Sequence, residues 1–318
     1  MDRFFHHYFL RKNKREEILE NKEILKCDQA ILNVDQILKD EQIEFIAEES
    51  LSKKITQKVF ETLPQKIKTA CKKTADENLI ERKEVEERRN IKVGSNSPEF
   101  IKLKDDGSVV FKSKEGELDN LRTAVKKGTY YRRERASYIV DRFFEFDMVP
   151  TTTIKEIKDE IGSAQRFIED AREFCEIDYE SKQKYKSEIA KLFIFDYIIW
   201  NSDRHSSNFL VKEDKLYAID NGLSFGNDRF KPFMIDSPID FNFKEDFILK
   251  INEIAKNDKI LDIMRLSLEE HLPEEEINAC IWRIKNIAKI LNDKRILSKK
   301  IEDRSKISGM FIYNYEKN

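Results

Sequence analysis

Apolar residues before Gly94 recur at helical spacing, and the stretch carries no glycine and one proline, Pro64. Ile24, Ile31, Leu38 and Phe45 fall seven apart, with Ile18, Leu25, Leu32 and Ile46 beside them. That period predicts an amphipathic helical bundle, with Asp35 or Asp40 marking a break. A coiled-coil dimer is the weaker alternative, because the repeat is short and irregular. The charged run Glu81–Asn90 (ERKEVEERRN) reads as a solvated helix or linker and places a domain boundary there. Beyond it the period changes from helical to alternating. Ile91–Val93, Phe100–Lys104 and Val109–Lys112 alternate, separated by Gly94–Pro98 and Asp105–Ser108 turns, which predicts an antiparallel sheet. A polar loop, Ser113–Lys127, follows. A helix is expected from Glu134, with Ala136, Ile139, Val140, Phe143 and Phe144 on its apolar face and Pro150 ending it. Thr151–Ile154 and Ile161–Ile168 read as strands. Helices are then expected over Lys184–Asn201, Phe247–Ile254, Asn257–Glu270 and Glu274–Asn292, with one more within Arg295–Tyr315. The fold class is α+β with two lobes: a helical extension over 1–90, a small antiparallel-sheet lobe over 91–170, and a helical lobe over 171–318.

Composition narrows this picture. Charged residues are abundant but cancel, 59 basic against 61 acidic, so the whole chain has no field to steer it to nucleic acid. No apolar run approaches the roughly 20 residues of a membrane span. The opening Met1–Leu10 is aromatic but broken by charge and His, unlike a standard signal peptide. Cytoplasmic residence without stable membrane insertion is the expectation. Cys27, Cys71, Cys175 and Cys280 form no CxxC pair and read as reduced structural thiols.

The candidate chemistry lies in Phe195–Phe225, FDYIIWNSDRHSSNFLVKEDKLYAIDNGLSF. Asp203 is followed five residues on by Asn208, and Asp220 comes twelve residues after that, with Gly222 beyond. A protein kinase spaces its catalytic Asp, its metal-binding Asn and its metal-bridging Asp in this way. Phosphoryl transfer asks for Mg²⁺ against the phosphates, a cation on the phosphates that stay behind, and an acceptor hydroxyl in line. Asn208 and Asp220 supply hard oxygen ligands for Mg²⁺. Asp203 is the candidate base or hydroxyl orienter. Lys112, ending an apolar strand, is the candidate clamp on the ATP phosphates, and Glu134, at the next helix start, its partner. Glu134 lies off the apolar stripe of its helix, which leaves the register of that pairing open. Each residue alone is an ordinary turn, cap or surface residue; their joint order is what points to chemistry. Arg204 and His205 read as a couple bracing the loop rather than as reactants.

The same residues resemble the HipA-like and phosphoinositide-3/4-kinase-like atypical kinases. Asp203-Arg204-His205-Ser206-Ser207-Asn208 is similar to their DRHxxN loop, and Ile219–Phe225 to their IDNGLSF turn. Val110-Phe111-Lys112, Arg133–Tyr138, Val149–Thr152 and Gly162–Phe167 resemble their FKP, REAAY, VPxT and GSxQ segments, so the likeness spans about Lys92 to Phe230. It implies a two-lobed, ATP- and Mg²⁺-dependent Ser/Thr protein kinase. Lys112 would serve the ATP phosphates, Asp203 catalysis, Asn208 and Asp220 the metal, and backbone near Gln165, Phe167 and Ile168 the adenine. By the same resemblance the chain would be a secreted bacterial pro-inflammatory effector meeting host-cell proteins; autophosphorylation at Ser95 or Ser97 is expected because a hydroxyl there lies where the phosphates should pass. The sequence departs from the pattern where Ser113 replaces the usual Pro. The nucleotide loop, Gly94-Ser95-Asn96-Ser97, has one glycine rather than three; Ser95, Asn96 and Ser97 would cradle phosphate there. A phosphoinositide kinase is the alternative. The mixed charge of Asn221–Asp240, where Asp228, Asp236 and Asp240 oppose Arg229 and Lys231, and the missing cysteine cluster for palmitoylation weigh against it. A pseudokinase or interaction protein is the alternative from another class.

Overall fold

The computed structural model describes residues 61–91, 97–119, 121–226, 241–294 and 296–297. The expected heptad helices and the Ser95–Asn96 loop lie outside these residues, as does most of the helix expected within Arg295–Tyr315.

Two short helices come first, α1 (Gln65–Cys71) and α2 (Ala75–Arg82). Thr74 starts α2 with a reciprocal capping box: its side chain accepts from the Glu77 N–H, and Glu77 accepts from the Thr74 N–H. A five-stranded antiparallel sheet follows, made of β1 (Val85–Asn90), β2 (Glu99–Leu103), β3 (Ser108–Ser113), β4 (Thr152–Ile157) and β5 (Glu160–Arg166). Its strand order is β1-β2-β3-β5-β4. The charged run read as helix or linker is therefore divided between the end of α2 and an edge strand, and the sheet begins at Val85 rather than at Ile91. The strand escapes a hydrophobic reading because none of its side chains is buried. Arg88 secures it by ion pairs to Glu99 on β2 and Glu160 on β5.

Between β3 and β4 runs α3 (Tyr130–Phe144). Its apolar positions match the expected stripe, but it starts one turn before Glu134. The helical half comprises α4 (Tyr179–Gln183), α5 (Lys186–Ile199), α6 (Glu245–Ala255), α7 (Asp258–Leu268) and α8 (Glu274–Lys294). A small sheet joins β6 (Arg172–Glu173), which precedes α4, to β7 (Phe209–Lys212) and β8 (Lys215–Ala218), which lie between α5 and α6 in the chain, and β9 (Phe241–Asn242) pairs with β10 (Ile296–Leu297).

Two separate apolar clusters form the interior. The smaller joins Ile80, Ile101, Leu103, Val109, Phe111, Ile157 and Ala164 under the large sheet. The larger fills the helical half, and α3 belongs to it through Ala136, Ile139, Val140, Phe143 and Phe144. The helix that sequence order assigns to the sheet lobe thus shares its core with the other lobe. Among the described residues no helix is long and apolar enough to cross a membrane. Cys71, Cys175 and Cys280 are free thiols, and burial pushes those of Cys71 and Cys280 up to about 11.

Candidate active site

The early start of α3 settles the place of Glu134. Glu117, from the loop before the helix, accepts hydrogen bonds from the N–H groups of Gly128 and Tyr131, the latter at 3.0 Å. A carboxylate on these orphan donors also complements the positive end of the helix dipole. Glu134 then falls in the second turn, 3% exposed, facing the sheet. Its Oε1 accepts from Lys112 Nζ at 2.6 Å, and its Oε2 accepts from the Asn221 N–H at 2.9 Å.

Lys112 is delivered by β3, where it pairs with Ser163 of β5. A Cβ at Gly162 would lie 2.3 Å from the Lys112 carbonyl oxygen and 2.8 Å from the Phe111 ring, so glycine is what lets β5 approach here. Lys112 Nζ also donates to Asp220 Oδ1 at 2.8 Å. One ammonium thus joins the strand, the helix and the turn after β8. Burial would lower the Lys112 pKa, but the charges of Asp220 and Glu134 outweigh it and hold the amine above its ordinary value. Burial likewise raises the Asp220 carboxyl, and Lys112 more than offsets this, so its net shift is downward. The structure brings Lys112 and its expected partner Glu134 into direct contact and adds Asp220 to them.

Asp220 has φ 56°, in the left-handed region that Asp tolerates better than most residues. Gly222 permits the turn to lie against α3: a Cβ there would sit 3.2 Å from Tyr130 Cβ and 3.5 Å from Glu134 Oε1.

The loop carrying Asp203 is held by its own polar groups. α5 ends at Trp200 in a left-handed conformation, φ 53°. Asn201 Oδ1 then accepts from the Asp203 N–H at 2.9 Å, and Asn208 Nδ2 donates to the Asp203 carbonyl at 2.8 Å. Arg204, 1% exposed, pairs with Asp196 of α5 at 3.1 Å and donates to the carbonyls of Asn208 and Ile219, each at 2.6 Å. It also donates to Asn221 Oδ1. The guanidinium therefore braces the loop, β7 and the Asp220 turn against one another, as expected of Arg204, whereas His205 is exposed and takes no part in that brace.

Asp203 is exposed at the surface of this arrangement. Partial shielding of its carboxyl, then the like charge of Asp220, hold its pKa above the ordinary range, against the opposing charges of His205, Arg204 and Arg122. A carboxylate with a raised pKa is a better proton acceptor.

The donor set suits a hard divalent cation completed by phosphate. With Asn208 Nδ2 engaged by backbone and Asp220 Oδ1 engaged by Lys112, an amide oxygen and a carboxylate oxygen remain. Among the described residues no group of three or more His, Cys, Asp or Glu is placed to hold a metal by itself. Mg²⁺ sites of one or two side-chain ligands plus substrate phosphates have this character.

The structure places the remaining nucleotide-site candidates as follows. Ser97 lies in the β1–β2 connection, which the Ile91 N–H closes onto the Pro98 carbonyl at 2.9 Å; its φ is 43°. The Gln165 side chain is buried and donates to Thr152 Oγ1 at 2.9 Å, so it braces β4 and β5. Phe167, just past β5, is anchored by its N–H to the Ser108 carbonyl at 2.9 Å and packs edge-on against Phe100. Phe167 and Ile168 line a cavity of ≈ 570 Å³ with Asp76, Ser108, Arg166 and Tyr217, which does not include Lys112 or Asp220.

Two elements escaped the sequence reading. Arg133, beside Glu134, forms a buried two-pronged ion pair with Glu276 of α8, at 2.7 and 2.9 Å, and donates to the Ser224 carbonyl at 2.7 Å. Glu77 of α2, fully buried, pairs with Arg135 at 2.6 Å and Arg142 at 3.1 Å on α3. The one sequence signal was an unusual density of charge on a helix whose apolar stripe required burial.

A family model described as phosphatidylinositol 3- and 4-kinase matches residues 121–273, a little under half of the chain. The match takes in α3, the Asp203 loop and the Asp220 turn, but not the Lys112 strand. No curated protein sequence matches. Among solved structures, the chain is similar to the Golgi casein kinase with Mn/ADP bound (16% identity, TM-score 0.49, covering 76% of this chain and 79% of that one). It is also similar to hydra Fam20 with sugar (15%, 0.42, 69% and 89%) and to the Helicobacter pylori proinflammatory kinase CtkA (12%, 0.42, 67% and 97%). These likenesses are too loose to bear on what the chain does. The family match and the joined Lys112, Glu134 and Asp220 together support a kinase-like fold.

Proposed function

We propose that this chain is a phosphotransferase using ATP and Mg²⁺, with a serine or threonine hydroxyl of a protein as acceptor. The observation that carries the reading is the single ammonium of Lys112 joining Glu134 and Asp220, beside a loop that presents Asp203 and Asn208. Lys112 would neutralise the phosphates that stay behind, and Glu134 would keep it extended from the sheet. Asn208 and Asp220 would hold Mg²⁺, which when bound neutralises charge on the transferring phosphoryl group. Asp203 would orient the acceptor hydroxyl and take its proton. The HipA-like class, an effector role in host cells and autophosphorylation at Ser95 or Ser97 rest on sequence motifs and loop position alone. Phosphosite mapping that left both serines unmodified would remove the last of these.

A second reading, phosphoinositide kinase, is favoured by the description of the matching family model. Against it stands the mixed charge of Asn221–Asp240, which suits an anionic head group poorly. Incubation with labelled ATP and Mg²⁺, offering a basic protein in one arm and phosphoinositide vesicles in the other, separates the two. Label in protein, abolished by Asp203→Ala, is the expected result. Label in lipid alone would establish the second reading; Mg·ATP binding without transfer would leave an interaction protein.

A further inference from the structure

The connection between β3 and α3 contains Arg122, which is 5% exposed although it lies in a polar loop. Its Nη1 donates to the Trp200 carbonyl at 3.0 Å and to the Leu223 carbonyl, and its Nη2 to the Gly226 carbonyl at 3.4 Å. Trp200 begins the loop that presents Asp203, whereas Leu223 and Gly226 follow the turn that presents Asp220. The two segments also touch directly where the Phe225 N–H donates to the Ile199 carbonyl at 2.6 Å. Both bend through left-handed residues, Trp200 at φ 53° and Phe225 at φ 62°, conformations that persist when the surroundings over-determine them. A planar fork with fixed donor directions sets the separation of two chain segments in a way that an apolar plug does not. Gly226 completes the seat: a Cβ there would stand 2.6 Å from the Arg122 guanidinium carbon.

We propose that Arg122 is a positioning residue of the phosphotransfer site, holding the Asp203 loop and the Asp220 turn at the separation that metal and nucleotide binding require. The inference rests on the phosphotransferase reading. It assigns the β3–α3 connection a part in the site that none of the kinase motifs covers. Arg122 donates to main-chain carbonyls of the segments that carry the site residues, and its charge also reaches the Asp203 carboxyl.

The test compares Arg122→Met, similar in length without the fork, Arg122→Lys, which keeps charge and some donors, and Gly226→Ala, which crowds the guanidinium from the other side. Phe195→Ala, a core change on α5 that removes none of these hydrogen bonds, serves as the stability control. Each is measured for melting temperature, for kcat and the Mg²⁺ concentration giving half-maximal rate, and for the melting shift caused by Mg·ADP. Arg122→Met is expected to stay folded, lose at least tenfold in kcat, need several-fold more Mg²⁺, and lose most of the Mg·ADP shift. Arg122→Lys should recover part of each, and Gly226→Ala should move the same quantities in the same direction. Unchanged kcat and Mg²⁺ requirement in folded Arg122→Met would overturn the proposal. So would losses no larger than those of Phe195→Ala at matched folded fraction, since Arg122 would then be structural only. Wild-type protein showing neither transfer nor a Mg·ADP shift would sink the phosphotransferase reading itself, and this proposal with it.

Discussion

Two buried helices carry the site, and they are buried by opposite means. α5 is apolar around most of its circumference: Ile194, Phe195, Ile198 and Ile199 are fully buried, and Asp196 is its deeply buried charge, answered by Arg204. α3 is just as deeply placed but ringed with charge: Glu134 reaches Lys112, Arg133 reaches Glu276, and Arg135 and Arg142 reach Glu77. An apolar helix tolerates small shifts in register, because dispersion and the hydrophobic effect are non-directional. A helix held by ion pairs on several sides does not. The difference fits their tasks: α5 delivers a loop that Arg204 then arranges, whereas α3 must itself place Glu134 within hydrogen-bond reach of a lysine on another element.

The contrast breaks most sharply at Arg133. Replacing it with alanine leaves Glu276 buried without its partner, and stability should fall by about 3–5 kcal/mol. Transfer should fall further than the loss of folded protein explains. Urea melts and turnover per folded molecule check both, and an Arg133→Met, Glu276→Leu pair should recover stability without recovering turnover.

On α5, Phe195→Ala should cost about 3–5 kcal/mol through the cavity it leaves, yet turnover per folded molecule should stay close to wild type. Equal losses per folded molecule at both helices would dissolve the distinction drawn between them.

Asp141 sharpens the comparison through pH. It lies 2% exposed near the C-terminal end of α3, accepting from the Met148 N–H at 3.2 Å. Burial pushes its carboxyl up to about 7. The native state therefore holds a proton that the unfolded chain has already released, and this group's contribution to stability declines as pH rises from about 4 to about 7. Asp141→Asn should melt several degrees above wild type at pH 8, the gap narrowing toward pH 4. A pH-independent gap would show that Asp141 is ionised in the fold.

The smallest effect is expected at the surface, where the Lys285–Asp258 pair is 3.0 Å long but well exposed. Lys285→Ala should change stability by less than about 1 kcal/mol, setting the baseline against which the α3 pairs are judged.

The elements that sequence made legible were those whose pattern had one cause. Strands β2 to β5 and helices α5 to α8 follow from burial on one face or all round, and Asp203, Asn208 and Asp220 from spacing along a single loop and hairpin. The Lys112–Glu134 pairing was legible as chemistry but not as geometry. The helix start depends on Glu117, thirteen residues before Tyr130 in sequence and joined to it only by the path of the loop. Arg122 was hidden for a related reason: its partners are main-chain carbonyls, which leave no residue-type signature. β1 was hidden because its stability comes from ion pairs across the sheet rather than from a buried face.

That charged strand has a bearing on solubility. The sheet's far side, β4, lies against α2, where Lys155 donates to the carbonyls of Glu81 and Lys83, each at 3.0 Å. β1 ends the sheet at the opposite edge with Glu86, Glu87, Arg88 and Arg89. Another chain adding to that edge would bring its own strand against a row of charged side chains, at a cost in desolvation. The residues that made β1 look like a linker are therefore the ones that guard the sheet against aggregation.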